Sequence, residues 1–368
     1  MRLPVTLIIL ALLWGAVTPS LDARPPADVQ CAASASSMTP AGWTMPASTL
    51  RRDRGARAAR GAPLVLVADI PLPGAAKRFD YQSLDTTTGR LYVSHMSGGR
   101  LDVFDTGAAR LVASLEGFPG ATGVWAVPDL HRVFVSVTGR RAVAVVDDRT
   151  LKTIAWVSGV RFPDGIAYVP GEGKVYVSDE SGEADVVIDA RGGTRLGAIP
   201  LGGEVGNTHY DDVSHCVVVA IQTRNELAAI DPATDRVVAR YTVPCEHPHG
   251  FLIDEPRRLA FVSCEGDAKL LVVDLRAMRT IATHPVGDDP DVLAFDHGLG
   301  RLYVACESGV VSVFDARDRV LNAVGDYRAP HAHSVAVDPA THRVYLPLEN
   351  VGGRPVLRIM RPVTGPAG

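Results

Sequence analysis

The chain has 368 residues, of which 46% are hydrophobic and 21% are charged, and its formal net charge is −4. Its Lys and Arg residues are scattered and form no basic stripe, which argues against nucleic acid as the main partner. Beyond the N-terminal region no stretch approaches the length of about 18 apolar residues that a membrane span needs. We therefore expect no membrane span in the mature protein.

The first 62 residues predict an export signal followed by a linker. Arg2 supplies a positive charge ahead of an apolar run at residues 7–17, which has the length of a signal-peptide core. We assign residues 1–23 to a signal peptide, with a retained anchor as the alternative, and expect a periplasmic or secreted protein. Residues 24–62 are rich in Ala, Pro, Ser and Arg without periodicity, which is typical of a flexible linker.

From residue 64 onward the sequence repeats itself with a period of 42. A short apolar strand, written Leu-Tyr-Val-Ser at residues 91–94, recurs with its central residue at positions 92, 134, 176, 218, 261, 303 and 345. Alternating apolar residues between polar turns indicate four antiparallel strands in each copy. Seven such copies predict an all-β fold, a single seven-bladed β-propeller over residues 63–362, with a short C-terminal tail at 363–368.

The two ends of the repeat array predict how the ring closes. The seventh copy ends after its third strand, whereas residues 64–71 precede the first copy and match the pattern of a fourth strand. We predict that residues 64–71 complete the last blade, because this pairing would remove the exposed sheet edges at the seam.

Tyr-Val strands at residues 91–94 and 175–178, each followed by a Val-rich strand that ends in Asp, resemble the YVTN-repeat family. The segment at residues 230–239 is similar to it as well, and residues 64–362 resemble the YncE-like group of exported seven-bladed propellers. This resemblance implies the fold and export but no single activity. The chain departs from the family pattern where Thr-Asn usually follows Tyr-Val, since it has Ser94-His95 and Ser178-Asp179 there.

Deviations among the seven copies indicate a candidate metal site. Twelve residues before the strand centre, at the start of the innermost strand, repeats five, six, seven and one carry His249, Asp291, His333 and Asp80. Innermost strands line the axial tunnel of a propeller, so these side chains should converge at its mouth. Imidazoles together with carboxylates suit zinc, copper or manganese, but the same groups could instead supply acid–base catalysis or merely solvate the tunnel.

Neighbouring loop positions supply further ligand-binding candidates. Period-two alternation should place the residue two before each ring position on the same side of its strand, and the loop leaving the second strand opens on the same face. We expect this face to bind a small molecule or a protein partner. The candidates are His247, His331, Asp289, Asp164, Glu265, Glu307 and His95.

Five cysteines are an odd number for an oxidising compartment, so at least one has no partner within the chain. Cys264 and Cys306 occupy equivalent positions on adjacent repeats, and we expect their Cα atoms to lie beyond the limit of about 7 Å for a disulfide. Cys245 and Cys264, within one repeat, are the candidate disulfide. Cys216 is expected in the core, and Cys31 in the linker.

Three functions are compatible with this pattern. The first is an exported binding or scaffold module with a ligand or metal site on the tunnel mouth. The second is a metal-assisted hydrolase or lactonase that uses His249 or His333 as the base and Asp291 as its orienter. The third, a partner subunit of a periplasmic redox enzyme, rests on the fold resemblance alone. We find no phosphate-binding glycine loop, Cys-x-x-Cys pair or Gly-x-Ser-x-Gly elbow. We therefore favour a binding protein over an enzyme and expect no cofactor beyond a divalent metal. We also expect a monomer.

Overall fold

A computed structural model describes Cys31 and residues 62–363. In this part of the chain 28 strands form seven four-stranded antiparallel sheets, and the only helices are single 3-10 turns. The predicted all-β, seven-bladed propeller is therefore confirmed. None of the described residues belongs to a helix that is long and apolar enough to cross a membrane.

The strands are numbered β1 to β28 in chain order. The first is β1 (Leu64–Pro71). Blade one then contains β2 (Gln82–Asp85), β3 (Arg90–His95), β4 (Arg100–Asp105) and β5 (Arg110–Glu116). Blade two contains β6 (Ala121–Val127), β7 (Arg132–Val137), β8 (Ala142–Asp147) and β9 (Thr153–Ser158). Blade three contains β10 (Pro163–Val169), β11 (Lys174–Asp179), β12 (Ala184–Asp189) and β13 (Thr194–Pro200).

The second half of the ring has the same order. Blade four contains β14 (Val205–Asp211), β15 (Cys216–Ile221), β16 (Glu226–Asp231) and β17 (Arg236–Thr242). Blade five contains β18 (Pro248–Asp254), β19 (Leu259–Cys264), β20 (Lys269–Asp274) and β21 (Arg279–Pro285). Blade six contains β22 (Pro290–Asp296), β23 (Arg301–Cys306), β24 (Val310–Asp315) and β25 (Asn322–Arg328), and blade seven contains β26 (Ala336–Asp338), β27 (Arg343–Val351) and β28 (Arg354–Pro362). The 3-10 turns are Met96–Gly98, Pro128–Leu130, Thr138–Arg140, Glu180–Gly182, Gln222–Arg224 and Glu265–Asp267.

Burial explains why the two middle strands of a blade are almost wholly apolar. In β11 the consecutive residues Val175, Tyr176 and Val177 are all buried, because neighbouring blades cover both faces of the sheet. The outermost strand β13 is mostly exposed and correspondingly mixed in composition. The apolar content of each strand in the repeat therefore indicates whether that strand lies between two blades.

The innermost strands carry a backbone irregularity that shapes the tunnel. In β6, β10, β14, β18 and β22 the pairing with the next strand shifts at the ring position, as between Pro163 and Ile166. Such bulges turn a side chain away from the regular alternation. In β18 the next residue is Gly250, and a Cβ there would lie 1.7 Å from the Asp291 carbonyl oxygen. Glycine thus lets adjacent innermost strands approach closely at the axis.

The N-terminal strand closes the ring as predicted. β1 pairs antiparallel with β28, from Leu64 opposite Pro362 to Pro71 opposite Val356. Arg358 on β28 also donates two hydrogen bonds to the Asp69 carboxylate on β1, at 2.8 and 2.7 Å. Blade seven is consequently built from both ends of the described chain.

Two disulfides involve four of the five cysteines. Cys245 and Cys264, the candidate pair, are joined with a Cα–Cα distance of 6.1 Å. Cys31 is joined to Cys216 on blade four, a pairing that the sequence did not suggest because 185 residues separate them. Cys306 is free and buried. The predicted signal peptide, the rest of the linker and the tail lie outside the described residues, apart from residues 62 and 363.

Candidate functional site

One end of the axial tunnel opens into a polar cavity of about 220 Å³, here called the upper chamber. The starts of the innermost strands and the loops after the second strands form its walls. Six carboxylates, two imidazoles and one guanidinium face it, so its fixed charge is strongly negative. Its lining residues are Arg78, Asp80, Tyr81, Met96, Thr122, Phe162, Asp164, Glu180, His249, Glu265, Asp291, Glu307 and His333.

Asp291 lies between the two histidines of the chamber. Its Oδ2 atom is 2.8 Å from Nε2 of His333, and its Oδ1 atom is 3.4 Å from Nε2 of His249. Each Nε2 also faces a second carboxylate, at 3.2 Å in Asp80 for His333 and at 3.7 Å in Asp164 for His249. All five side chains are buried, although they come from blades one, three, five, six and seven.

Each imidazole also presents its other nitrogen to a glutamate at the chamber rim. Nδ1 of His333 lies 3.0 Å from a carboxylate oxygen of Glu307, and Nδ1 of His249 lies 3.7 Å from Glu265. Both Nδ1 atoms are buried, and neither forms a hydrogen bond within the described part of the chain. Both Nε2 atoms lie beside Asp291.

The charges of the chamber shift the pKa values of its groups strongly. Burial lowers the pKa of His249, but Asp291 and Glu265 outweigh it and raise that pKa to about 9. His333 is raised well above its usual pKa by Asp291 and Asp80, again against burial. Burial opposes ionisation of Asp291, yet the two imidazoles hold its pKa below the usual range. The surrounding carboxylates therefore favour the protonated form of both imidazoles.

Burial raises the pKa of three chamber carboxylates, which are Asp164, Glu265 and Glu180. Burial, followed by the nearby Asp80, raises the pKa of Asp164 well above its usual value. Its carboxylate is almost wholly buried, and among the described residues its only close polar contact is His249 at 3.7 Å. Burial likewise raises the pKa of Glu265 to about 7. A cation placed between these groups would relieve this cost of burial.

Tyr81 separates the upper chamber from the rest of the tunnel. Blades two, three and five have glycine at its repeat position, at residues 123, 165 and 250, which leaves space for its ring. Asn207 Nδ2 donates a hydrogen bond of 2.6 Å to the Tyr81 hydroxyl, which in turn donates to Asp291 Oδ1 at 3.3 Å. Below lies a second cavity of about 490 Å³ whose walls include Trp125 and no Asp, Glu, Lys or Arg. Charge is thus confined to the upper chamber.

Seven candidate residues from the sequence come together in the chamber. They are His249, Asp291, His333, Asp80, Asp164, Glu265 and Glu307.

Three others do not enter it, because the expected alternation fails. His247, Asp289 and His331 are exposed and have left-handed backbones with φ of 52°, 51° and 62°. A left-handed residue interrupts the period-two alternation of an extended chain, and the prediction that they share a side with His249, Asp291 and His333 is wrong.

His95 is a further correction. It is buried in blade one, where its ring stacks on Phe79 with centroids 4.0 Å apart. Nδ1 lies 3.6 Å from Asp102, and Nε2 lies 3.2 Å from the Ala75 carbonyl oxygen. The long loop that enters β2 covers the end of β3, so this histidine packs between loop and sheet instead of facing the chamber.

Several residues at or beside the chamber were not chosen as candidates from the sequence. Arg78 and Phe162 occupy the same repeat position as His247 but have no positive φ, and they do line the chamber. Tyr81 lines the chamber, and Asn207 lines the second cavity. Both stand where blades two, three and five have glycine, so a comparison of this repeat position would have singled them out. Glu180 follows β11, as Glu265 follows β19, and burial raises its pKa.

Solved structures of other propellers superpose on this chain. A chain of hydrazine synthase from Kuenenia stuttgartiensis matches with a TM-score of 0.68 and 16% identity over 85% of this chain and 99% of its own. U3-55K matches with 0.68 and 10% identity over 80% and 98%. The WD40 repeats of RRP9 match with 0.68 and 10% identity over 82% and 100%.

The chain is a seven-bladed β-propeller. At these identities the similarity shows the fold alone. No family model and no curated protein matches the chain.

Proposed function

We propose that this chain is an exported binding protein whose upper chamber holds a divalent metal ion such as zinc, manganese or copper. Its ligands would come from His249, Asp291, Glu265 and Asp164, and the ligand atoms of the first three lie within 4.8 Å of one another. The observation that carries the proposal is the shared arrangement of the two histidines, each with Nδ1 beside a glutamate and Nε2 beside Asp291. Both Nδ1 atoms are also buried without a hydrogen-bond partner among the described residues, so each imidazole has a nitrogen that a metal ion could satisfy.

The charge balance of the chamber supports a cation as the ligand. Six carboxylates face one guanidinium and two imidazoles, and Asp164 lacks a cationic partner closer than 3.7 Å. Nitrogen and oxygen donors together suit zinc, copper or manganese better than calcium, which prefers oxygen alone. Because the carboxylates favour protonated imidazoles, a metal ion should compete with protons for these nitrogens, and its binding should weaken at acidic pH.

Export is part of the same proposal. Two disulfides require an oxidising compartment, and the N-terminal 23 residues have the pattern of a signal peptide. The narrower membership in the YVTN-repeat family and the monomeric state remain predictions. The alternative of a redox partner subunit gains nothing beyond the fold from the hydrazine synthase chain, because that chain is only 16% identical.

Metal content and metal titration test the proposal. Protein purified from the periplasm is analysed for bound metals, then stripped with a chelator and titrated with ZnCl2 and MnCl2 by calorimetry. We expect about one ion per chain. His249→Ala and Asp164→Asn should each weaken binding at least about tenfold. The matched control His297→Ala removes an exposed histidine from the other end of the tunnel and should bind as the unmodified protein does.

Two outcomes contradict the proposal. One is the absence of metal together with no binding heat for either ion, in protein whose melting curve shows that it is folded. The other is metal binding that survives both substitutions in the chamber. The metal-loaded protein is also assayed for ester and lactone hydrolysis, and turnover that His249→Ala abolishes would replace the binding function with the hydrolase alternative.

A further inference from the structure

The ligands around Asp291 form two similar groups. The first half-site consists of His249 Nε2, Asp164 and Asp291 Oδ1, with distances of 3.7 and 3.4 Å from the histidine nitrogen. The second half-site consists of His333 Nε2, Asp80 and Asp291 Oδ2, with distances of 3.2 and 2.8 Å. Each half-site therefore offers one nitrogen and two carboxylates, and Asp291 belongs to both.

A guanidinium distinguishes the two half-sites. Nη2 of Arg78 lies 3.4 Å from Nε2 of His333 and 2.9 Å from Glu307, so this positive charge stands beside the second half-site. The corresponding neighbour of the first half-site is the uncharged hydroxyl of Tyr81, 3.4 Å from Nε2 of His249. No Lys or Arg other than Arg78 is among the described residues that line the chamber.

We propose that Arg78 is a built-in cation that occupies the place of a metal ion at the second half-site, so that the chain binds one metal ion, at the first. This inference rests on the proposed function and adds its stoichiometry and position. Removing the guanidinium should open a second metal site, with Asp291 as the bridge between the two ions.

Electrostatics gives the physical reason. Two metal ions bridged by one carboxylate lie about 3.5–4 Å apart in two-metal proteins. An arginine that keeps its charge at all accessible pH values would add a third cation at the same contact distance. The carboxylates Asp80 and Glu307 can neutralise either the guanidinium or a second metal ion, but their two charges do not suffice for both.

Zinc stoichiometry in Arg78 variants is the test. Metal-stripped protein is titrated with ZnCl2, and bound zinc is counted after gel filtration. We expect one ion per chain in the unmodified protein, two in Arg78→Ala and in Arg78→Met, and one in Arg78→Lys, which retains a cation. Adding Asp80→Asn to Arg78→Ala should remove the second ion while the first stays bound. The methionine variant preserves packing in case the alanine variant folds poorly.

Manganese provides a readout of the bridge itself. The electron paramagnetic resonance spectrum of the unmodified protein loaded with Mn²⁺ should show isolated ions. Arg78→Ala should show an exchange-coupled pair, because a shared carboxylate couples two adjacent Mn²⁺ ions. Isolated spectra at two ions per chain would place the second ion elsewhere and overturn the inference.

The outcomes separate this inference from the proposed function. One ion in the unmodified protein and one in both Arg78→Ala and Arg78→Met would overturn the role of Arg78 and leave the metal site standing. Two ions in the unmodified protein would overturn it as well. No ion in any of these proteins would overturn the proposed function, and the inference with it.

Discussion

At the scale of the residue, the sign of one backbone angle decides which side chains reach the upper chamber. Arg78 and His247 hold the same position in their repeats, yet only Arg78 lines the cavity, because His247 has a φ of 52°. The repeat pattern of the sequence shows which residues occupy this position, but it does not show the sign of their φ angles. Two residues at the same repeat position therefore lie in quite different environments.

A buried carboxylate that does not line the chamber allows a prediction about pH. Asp185 in blade three is completely buried, and burial raises its pKa from 3.8 to about 7 although Thr208 donates a hydrogen bond of 3.0 Å to it. The folded protein holds this proton between pH 3.8 and about 7 while the unfolded chain has lost it. Its contribution to stability is therefore complete below pH 3.8 and is lost as the pH rises through about 7.

Asp185→Asn removes this charge without changing the size of the side chain. We expect the variant to melt above the unmodified protein at pH 8, by roughly 2–4 °C for each kcal/mol recovered, and the advantage to vanish near pH 4. Thermal melts followed by circular dichroism across this pH range measure it. Asp318→Asn, at an exposed carboxylate, is the control and should leave the melt unchanged at both pH values. A pH-independent difference at Asp185 would contradict the assigned titration.

At the scale of the element, the sequence predicted each blade because the middle strands of a blade are buried on both faces and are therefore apolar. The consecutive apolar residues of β11 and the polar mixture of β13 follow directly from their positions between or outside the blades. The bulges of the innermost strands left no comparable mark, because a one-residue shift in pairing does not change which residue types are compatible with the strand. The direction of the ring side chains was consequently predicted only in part.

The closing strand β1 supports a prediction with a matched control. Leu64 and Leu66 lie on the same strand, but Leu64 is 2% exposed within the core between blades six and seven and Leu66 is 51% exposed. Leu64→Ala should lower the free energy of unfolding by about 2–5 kcal/mol, as buried Leu-to-Ala changes do. Leu66→Ala should change it by less than about 0.5 kcal/mol. Chemical denaturation measures both, and equal effects would contradict the role of β1 in closing the ring.

At the scale of the whole molecule, the ring and its disulfides join distant parts of the chain. β1 completes blade seven, and Cys31 reaches blade four across 185 residues. Cys306 is left as a buried thiol, and burial raises its pKa to about 12. Such a thiol is protonated and shielded in the folded protein, so it reacts slowly with thiol reagents.

Thiol counting on exported protein tests this arrangement. Without reductant we expect no reactive thiol in the folded protein, one after denaturation, and five after denaturation with reductant, since the chain has five cysteines. Cys306→Ser should abolish the single thiol that denaturation exposes, while leaving both disulfides intact. A peptide map that places Cys306 in a disulfide, or more than one thiol before reduction, would contradict the pairing.

The sequence by itself determined the number of blades, their four strands, the seam at residues 64–71 and the histidine and aspartate ring. The blades and the seam leave a periodic apolar pattern, since residues between two blades are apolar in nearly every copy, and the ring is found as a polar deviation from that pattern. Tertiary structure alone decided that His247, Asp289 and His331 face solvent, that Arg78 stands beside His333, and that Cys31 meets Cys216. These outcomes depend on the sign of φ and on contacts between residues far apart in sequence, and neither is encoded in the composition of one repeat.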